Sequence, residues 1–72
     1  MVVLNNIYAI RTQQQLSLRE LSKLSGVSYV TINKIENGLC SPSQLTMLLL
    51  SRALGVPTQL VFHLDYTKID LD

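Results

Sequence analysis

The chain has 72 residues, of which 47% are hydrophobic, with one cysteine and a formal net charge of +1. This length allows one domain, so we expect no second, effector-binding domain, and the lone Cys40 excludes an intrachain disulfide. No apolar run is long enough to span a membrane and the amino terminus lacks the pattern of a signal peptide, so we expect a cytoplasmic protein without a membrane partner.

The first predicted helix covers about residues 5–14. Leu4, Ile7 and Ile10 recur at helical spacing, with Tyr8 beside them. We expect this helix to pack across the pair of helices that follows it.

A second helix is predicted over residues 18–25. Ser17 can cap its amino end, and Glu20 stands where the partner of a capping box is required. Leu21 and Leu24 provide an apolar stripe at helical spacing.

A tight bend and a third helix, over residues 29–37, come next. Gly26 can take a left-handed conformation at no steric cost, and Ser28 can cap the new helix. Ile32 and Ile35 form its buried face. Two helices joined by a short bend containing glycine are typical of the helix-turn-helix, whose second helix lies in a DNA major groove.

A fourth helix is predicted over residues 44–54, with its cap at Ser43 or Ser41. Its inward stripe is expected to consist of Met47, Leu48, Leu50 and Leu54. Leu45 and Leu49 then face outward. They form either a self-association surface or, if the helix is slightly rotated, part of the monomer core.

The last predicted helix covers residues 58–62 and is capped by Thr58, so that Val61 and Phe62 close the core. In residues 63–72, apolar side chains alternate in part, beginning with Leu64 and Tyr66. This tail is either an edge strand that pairs with a second copy of the chain or a frayed acidic terminus.

The central stretch resembles the phage-repressor/Cro-like (XRE-type) helix-turn-helix family. The matching residues are Leu21, Ser22, Gly26, Val27, Ser28, Ile32, Ile35, Glu36, Asn37 and Gly38. Ser22 stands where that family usually has alanine. The resemblance extends more loosely over residues 4–62, and it implies an all-α, compact five-helix lambda-repressor-like DNA-binding domain in residues 1–62, followed by the tail.

A third helix in the major groove would present its amino-terminal and outward positions to base edges. These positions are Ser28, Tyr29, Val30, Asn33 and Lys34. Asn33 can pair with adenine, Lys34 can reach guanine acceptors, and Val30 can pack on a thymine methyl group. The resemblance aligns Tyr29, Val30 and Lys34 with base-reading positions of the family.

Phosphate contacts are expected to rely on helix amino termini and polar groups, because residues 1–64 have a net charge of only +3, against −2 in residues 65–72. The expected contacts are Ser17, the backbone amide of Leu18, Arg19, Lys23, Thr31, Asn37, Ser41 and Ser43. The resemblance aligns Asn37 with a phosphate contact near the end of the third helix. The family often has a glutamine at the position of Leu18, and leucine cannot replace its phosphate contact.

The resemblance also implies an ion pair between Arg11 and Glu36. A carboxylate at the carboxyl end of a helix opposes the macrodipole and needs a cationic partner. The alternative is two unpaired surface charges.

A single unit reads few base pairs, so specific recognition of double-stranded DNA implies a homodimer on a two-fold operator. The dimer interface is expected to include Leu45, Leu49, Leu64 and Tyr66. RNA polymerase is a further candidate partner, and no cofactor or small-molecule ligand is expected. The biological setting stays open among phage, mobile-element, restriction-modification and toxin–antitoxin control.

Two other functional classes compete with this interpretation. A small helical protein-interaction adaptor fits the low net charge and the outward leucines. An enzyme fits poorly, because His63 and Cys40 are the only residues of their types and the sequence has no glycine-rich phosphate loop and no metal-ligand spacing.

Overall fold

The computed structural model describes residues 3–64. Five helices lie between two short strands, in the order β1 (Val3–Asn5), α1 (Ile7–Gln13), α2 (Leu18–Ser25), α3 (Tyr29–Glu36), α4 (Gln44–Leu54), α5 (Thr58–Val61) and β2 (Phe62–Leu64). The fold is therefore mostly helical, as the resemblance implies. None of the helices in this range is long and apolar enough to cross a membrane.

One hydrophobic core joins all five helices. Its buried residues are Ile7, Leu21, Val27, Ile32, Ile35, Leu50, Leu54, Val61 and Phe62. Burying such a side chain stabilises the fold by about 1.5–3 kcal/mol. α2 packs against both α3 and α4, so the core supports α2 and α3, which we call the recognition pair.

Local signals set both ends of α2. The Ser17 Oγ accepts a hydrogen bond from the Glu20 amide at 3.1 Å, and the Glu20 carboxylate accepts one from the Ser17 amide at 3.0 Å. Gly26 has a φ of 80° and caps the carboxyl end. The predicted capping box and the bounds of α2 are confirmed, as are the bounds of α4 with Ser43 as its cap.

The predicted first helix begins too early. Residues Val3–Asn5 form β1, which pairs antiparallel with β2, with Leu4 opposite His63 and Asn5 opposite Phe62. Leu4 thus belongs to a strand rather than to the helical stripe. The backbone of Leu64 pairs with Val3 of the same chain, and the tail residues 65–72, including Tyr66, lie outside the described residues.

Smaller differences concern the later helix ends. α3 ends at Glu36, with Asn37 as its cap. α5 ends at Val61, because Phe62 is extended and starts β2. Pro57, rather than Thr58, occupies the amino-terminal cap position of α5.

Two leucines, Leu24 of α2 and Leu48 of α4, differ in burial from the prediction. Leu24 is 60% exposed and Leu48 is 47% exposed, whereas Leu49 is half-buried against the core. On α4, Met47, Leu50 and Leu54 face inward as predicted, and Leu49 rather than Leu48 completes the inward side. On α2 the buried partner of Leu21 is Ser25, four residues on, so the stripe predicted through Leu24 was wrong. Tyr8 of α1 is also exposed.

Candidate nucleic-acid interface

α3 has one buried and one exposed side. Ile32 and Ile35 are fully or almost fully buried in the core. The exposed residues are Tyr29, Val30, Asn33 and Lys34, with Ser28 just before them. The structure therefore places all five expected base-reading residues at the surface of the recognition pair.

Ser28 has a structural task at the start of α3. Its Oγ accepts a hydrogen bond from the Val30 amide at 3.3 Å. The hydroxyl proton remains able to donate to an acceptor outside the protein. Ser28 thus fixes the start of α3 and still presents a polar group there.

A cation–π contact connects α2 to the start of α3. The guanidinium carbon of Arg19 lies 5.2 Å from the centroid of the Tyr29 ring. Such a contact at an exposed site is worth about 0.5–1 kcal/mol. Arg19, expected to contact phosphate, is thereby held beside the exposed side of α3, and the ring of Tyr29 is supported on one face.

Asn33 and Asn37 interact one helical turn apart. The Asn37 Nδ2 group donates hydrogen bonds to the backbone carbonyl and to the Oδ1 atom of Asn33, each at 2.8 Å. Both residues are exposed. The sequence predicts that Asn33 contacts a base and Asn37 a phosphate, and it does not indicate their contact with each other.

Two of the expected phosphate contacts are also amino-terminal helix caps. Ser17 completes the capping box of α2, and Ser43 Oγ accepts a hydrogen bond from the Thr46 amide at 3.1 Å. Arg19, Lys23 and Ser41 are exposed, and Leu18 and Thr31 are half-buried. The amides of Leu18 and Arg19 open the first turn of α2, where backbone donors lack intrahelical acceptors.

Glu20 adds a negative charge at this helix end. Hydrogen bonds from the backbone and then from the side chain of Ser17 lower the pKa of its carboxyl below the usual value. Glu20 is therefore ionised at neutral pH. This negative charge opposes the approach of an anion to the amino end of α2.

The carboxyl end of α3 is fixed to α1 by an ion pair. Arg11 donates to both carboxylate oxygens of Glu36, at 2.8 and 3.1 Å, and also to the Leu16 carbonyl at 2.9 Å. The two charged side chains are only 10% and 6% exposed. The Glu36 hydrogen bond, opposed in part by burial, raises the pKa of the Arg11 guanidinium above its usual value.

Asn5 supplies a second restraint, which the sequence pattern does not indicate. Its Nδ2 group donates to the Ile35 carbonyl at 3.0 Å, and its Oδ1 atom accepts from the Ile7 amide at 3.2 Å. Asn5 therefore joins the start of α1 to the last turn of α3. The signal for this role lies in the strand pairing of β1, which local periodicity does not reveal.

A helix-turn-helix family model, HTH_3, matches residues 7–61. The match includes all five helices and most of the chain. The chain belongs to the XRE-type helix-turn-helix family. No curated protein sequence matches it significantly.

Solved structures of the helix-turn-helix family share this fold. The restriction-modification controller protein C.AhdI from Aeromonas hydrophila is 28% identical with a TM-score of 0.72, over 74% of this chain and 80% of that one. An HTH_3 family transcriptional regulator from Vibrio cholerae is also 28% identical with a TM-score of 0.72, over 75% of this chain but 30% of that one. A Bacteroides fragilis protein, 22% identical with a TM-score of 0.74 over 86% of this chain and its own full length, shows the fold alone.

Helix-turn-helix proteins of this family are non-enzymatic DNA-binding proteins. The two relatives at 28% identity are described as a restriction-modification controller protein and a transcriptional regulator. These likenesses support a DNA-binding regulator. Within residues 3–64, the structure brings together no three His, Cys, Asp or Glu side chains that could hold a metal ion.

The α4 leucines of this helix-turn-helix chain form an apolar surface next to α2. Leu45 is 64% exposed. A shallow depression nearby is lined by Leu24, Ser25, Leu49, Arg52 and Ala53. Of the four residues expected at a dimer interface, Leu45 is at the surface, Leu49 is half-buried, Leu64 pairs within the chain through its backbone, and Tyr66 is outside the described residues.

Proposed function

We propose that this chain is a sequence-specific transcriptional regulator that binds a two-fold-symmetric operator as a homodimer, with α3 in the major groove of double-stranded DNA. The observation that carries this proposal is the exposed side of α3. Its side chains have base-reading chemistry, while both ends of the helix are fixed to the protein core. A rigid helix loses little conformational freedom on entering a groove.

The base-reading roles follow from the chemistry of each exposed side chain. Lys34 donates to the acceptor edge of guanine, and Asn33 pairs with adenine through its carboxamide. Val30 packs on a thymine methyl group. Tyr29, supported by Arg19, contacts either a thymine methyl group or a phosphate oxygen, and Ser28 donates at the groove edge.

Phosphate binding fixes the register of α3 without reading sequence. Arg19 and Lys23 supply positive charge along α2, and the amide of Leu18 points out of its first turn. The further polar contacts proposed are Ser17, Thr31, Ser41 and Ser43. With so few cations, we expect a shallower salt dependence than that of strongly basic DNA-binding domains.

The homodimer is proposed to form through the leucines of α4. Leu45 and the exposed edge of Leu49 are supplemented by Leu48, which is exposed although its spacing predicts a core position. Leu64 and Tyr66 of the tail extend this surface in the proposal. Two α3 helices would then reach half-sites with centres about 34 Å apart.

The regulatory route is either occupation of the operator, which blocks transcription, or contact with RNA polymerase. The likeness to C.AhdI favours control of a restriction-modification system among the settings open to the family. Neither route requires a cofactor.

Selection of bound duplexes from a random pool tests the proposal directly. The expected result is an inverted repeat whose half-sites are one helical turn, or a multiple of it, apart. The affinity for the selected duplex should exceed that for mixed-sequence DNA by about 10³-fold or more. Enrichment of no sequence would contradict it.

A protein-interaction adaptor is the second candidate, favoured by the exposed Leu24, Leu45 and Leu48. A titration with mixed-sequence duplex across salt concentrations separates the two functions. A DNA-binding protein loses affinity as salt rises, here with a modest slope set by its few cations, whereas an adaptor shows no affinity for DNA that depends on salt.

A further inference from the structure

We infer that Asn37 is a positioning residue for base reading, which holds the carboxamide of Asn33 in the orientation that selects adenine. This inference rests on the proposed entry of α3 into the major groove. It replaces the phosphate contact that the family resemblance implies for Asn37.

The orientation of both amides follows from one backbone group. The Asn33 carbonyl oxygen can only accept a hydrogen bond. The Asn37 side-chain atom 2.8 Å from it must therefore be the donor Nδ2, since an oxygen there would be repelled. The Asn33 side-chain atom 2.8 Å from the same Nδ2 must in turn be the acceptor Oδ1.

This arrangement uses both N–H bonds of Asn37. An amide nitrogen carries two hydrogens, and here one serves each acceptor on Asn33. A phosphate oxygen needs a donor, so Asn37 would have to give up one of these bonds to contact the DNA backbone. The contact with Asn33 therefore competes with the expected phosphate contact.

The outward edge of Asn33 has one polarity as a result. Its Nδ2 group finds no acceptor among residues 3–64, and its Oδ1 keeps a second lone pair. The major-groove edge of adenine offers an acceptor at N7 and a donor at N6. Guanine offers two acceptors and would place O6 against the Asn33 oxygen, so adenine is the matching base.

The test uses the duplex that the wild-type chain selects from a random pool, with each base pair varied in turn. Asn33→Ala should reduce adenine preference at one position per half-site by about 5- to 150-fold, the range for a bidentate pair. Asn37→Ala should reduce preference at the same position by about 2- to 12-fold, the cost of ordering one free side chain. The double variant should match Asn33→Ala.

A second variant tests the donor of the contact rather than the size of the side chain. In Asn37→Asp an acceptor replaces the donor, and the Asn33 carbonyl oxygen repels it, so the support of the Asn33 carboxamide should be lost. Adenine preference should then fall by as much as in Asn37→Ala. Replacing the selected adenine with 7-deazaadenine, which lacks the N7 acceptor, should weaken the wild type more than Asn37→Asp.

Val30→Ala serves as the matched control. Val30 lies seven residues before Asn37, the cap of α3, which is about 10 Å along the helix axis. The effect of Val30→Ala at another base position should therefore add to that of Asn37→Ala. Thermal melting should show all variants folded, because Val30, Asn33 and Asn37 are exposed.

Two results would overturn the inference. One is an equal loss of affinity for every duplex in Asn37→Ala that persists in the Asn33→Ala background, which is the pattern of a phosphate contact. The other is a selected site in which no position depends on Asn33. If the wild type selects no duplex at all, the proposed function itself fails, and that result is distinct from both.

Discussion

Arg11 of α1 donates hydrogen bonds of 2.8 and 3.1 Å to the two carboxylate oxygens of Glu36, the last residue of α3. The pair is almost fully buried. The positive charge of Arg11 compensates for the unfavourable interaction between the Glu36 carboxylate and the helix macrodipole at the carboxyl end of α3. Because it also holds the end of α3, this pair connects the stability of the fold to the rigidity of the recognition helix.

Removing one partner of this pair should therefore destabilise the protein strongly. Arg11→Ala leaves the Glu36 carboxylate buried and uncompensated, and we expect a loss of about 3–5 kcal/mol in the free energy of unfolding. Urea denaturation followed by circular dichroism measures it. Replacing both residues, as Arg11→Met with Glu36→Leu, should recover most of the loss, and a double variant as unstable as Arg11→Ala would refute the account.

The capping box of α2 should make stability depend on pH. Its hydrogen bonds lower the pKa of Glu20 from the usual 4.5, so the ionised carboxylate stabilises the folded chain above that value. This contribution is lost as pH falls through the lowered pKa. Glu20→Gln keeps an acceptor for the Ser17 amide but does not titrate.

The measurement is the difference in unfolding free energy between wild type and Glu20→Gln. It should favour the wild type at pH 7 and shrink towards zero in acid, starting near pH 4.5. A difference that stays constant with pH would show that the charge of Glu20 contributes nothing.

Lys34 and Lys23 should differ in how they affect DNA binding. Lys34→Ala should cost about 1–3 kcal/mol and relax preference at one base position, because a base contact carries sequence information. Lys23→Ala should weaken all duplexes alike and reduce the salt slope by about 1. Fluorescence titration with single-base variants of the selected site measures both. If the two variants showed the same base preference and the same salt slope, the proposal that α3 lies in the major groove would be wrong.

Arg19 has two candidate roles that one variant can separate. Arg19→Met keeps an apolar stem on Tyr29 but removes the cation, so the cation–π contribution of about 0.5–1 kcal/mol should be lost from stability. If Arg19 also contacts phosphate, the salt slope should fall by about 1. An unchanged salt slope would mean that Arg19 only supports the Tyr29 ring. Tyr29→Phe is the control, because it keeps the aromatic ring against Arg19.

A charge on the outer side of α4 should dissociate the homodimer. Leu45→Glu places a carboxylate in the proposed apolar interface, while its exposure in the single chain predicts little effect on folding. Sedimentation should change from dimer to monomer, and specific DNA binding should weaken with it. Leu39→Glu, in the exposed loop after α3, is the matched control and should remain dimeric. A wild type that is monomeric while binding its operator would defeat the proposal.

The local sequence alone determined the recognition pair. Ser17, Glu20 and Gly26 fix α2 through contacts within a few residues of each other, and the spacing of Ile32 and Ile35 sets the buried side of α3. Such signals depend on short-range hydrogen bonds and helical periodicity, so they act whatever surrounds them. The outward position of Tyr29, Val30, Asn33 and Lys34 followed from the same periodicity.

The tertiary structure decided what depends on distant partners. Leu4 fits a helical stripe by spacing, yet β1 forms because its backbone pairs with β2 at the other end of the described chain. Leu48 and Leu49 are both leucines, and only packing against α2 and the core selects which one is buried. The Asn37 contact with Asn33 is local, but both amides have several possible partners. Periodicity identifies the side of a helix, whereas three-dimensional packing and hydrogen-bond geometry determine what each side chain there contacts.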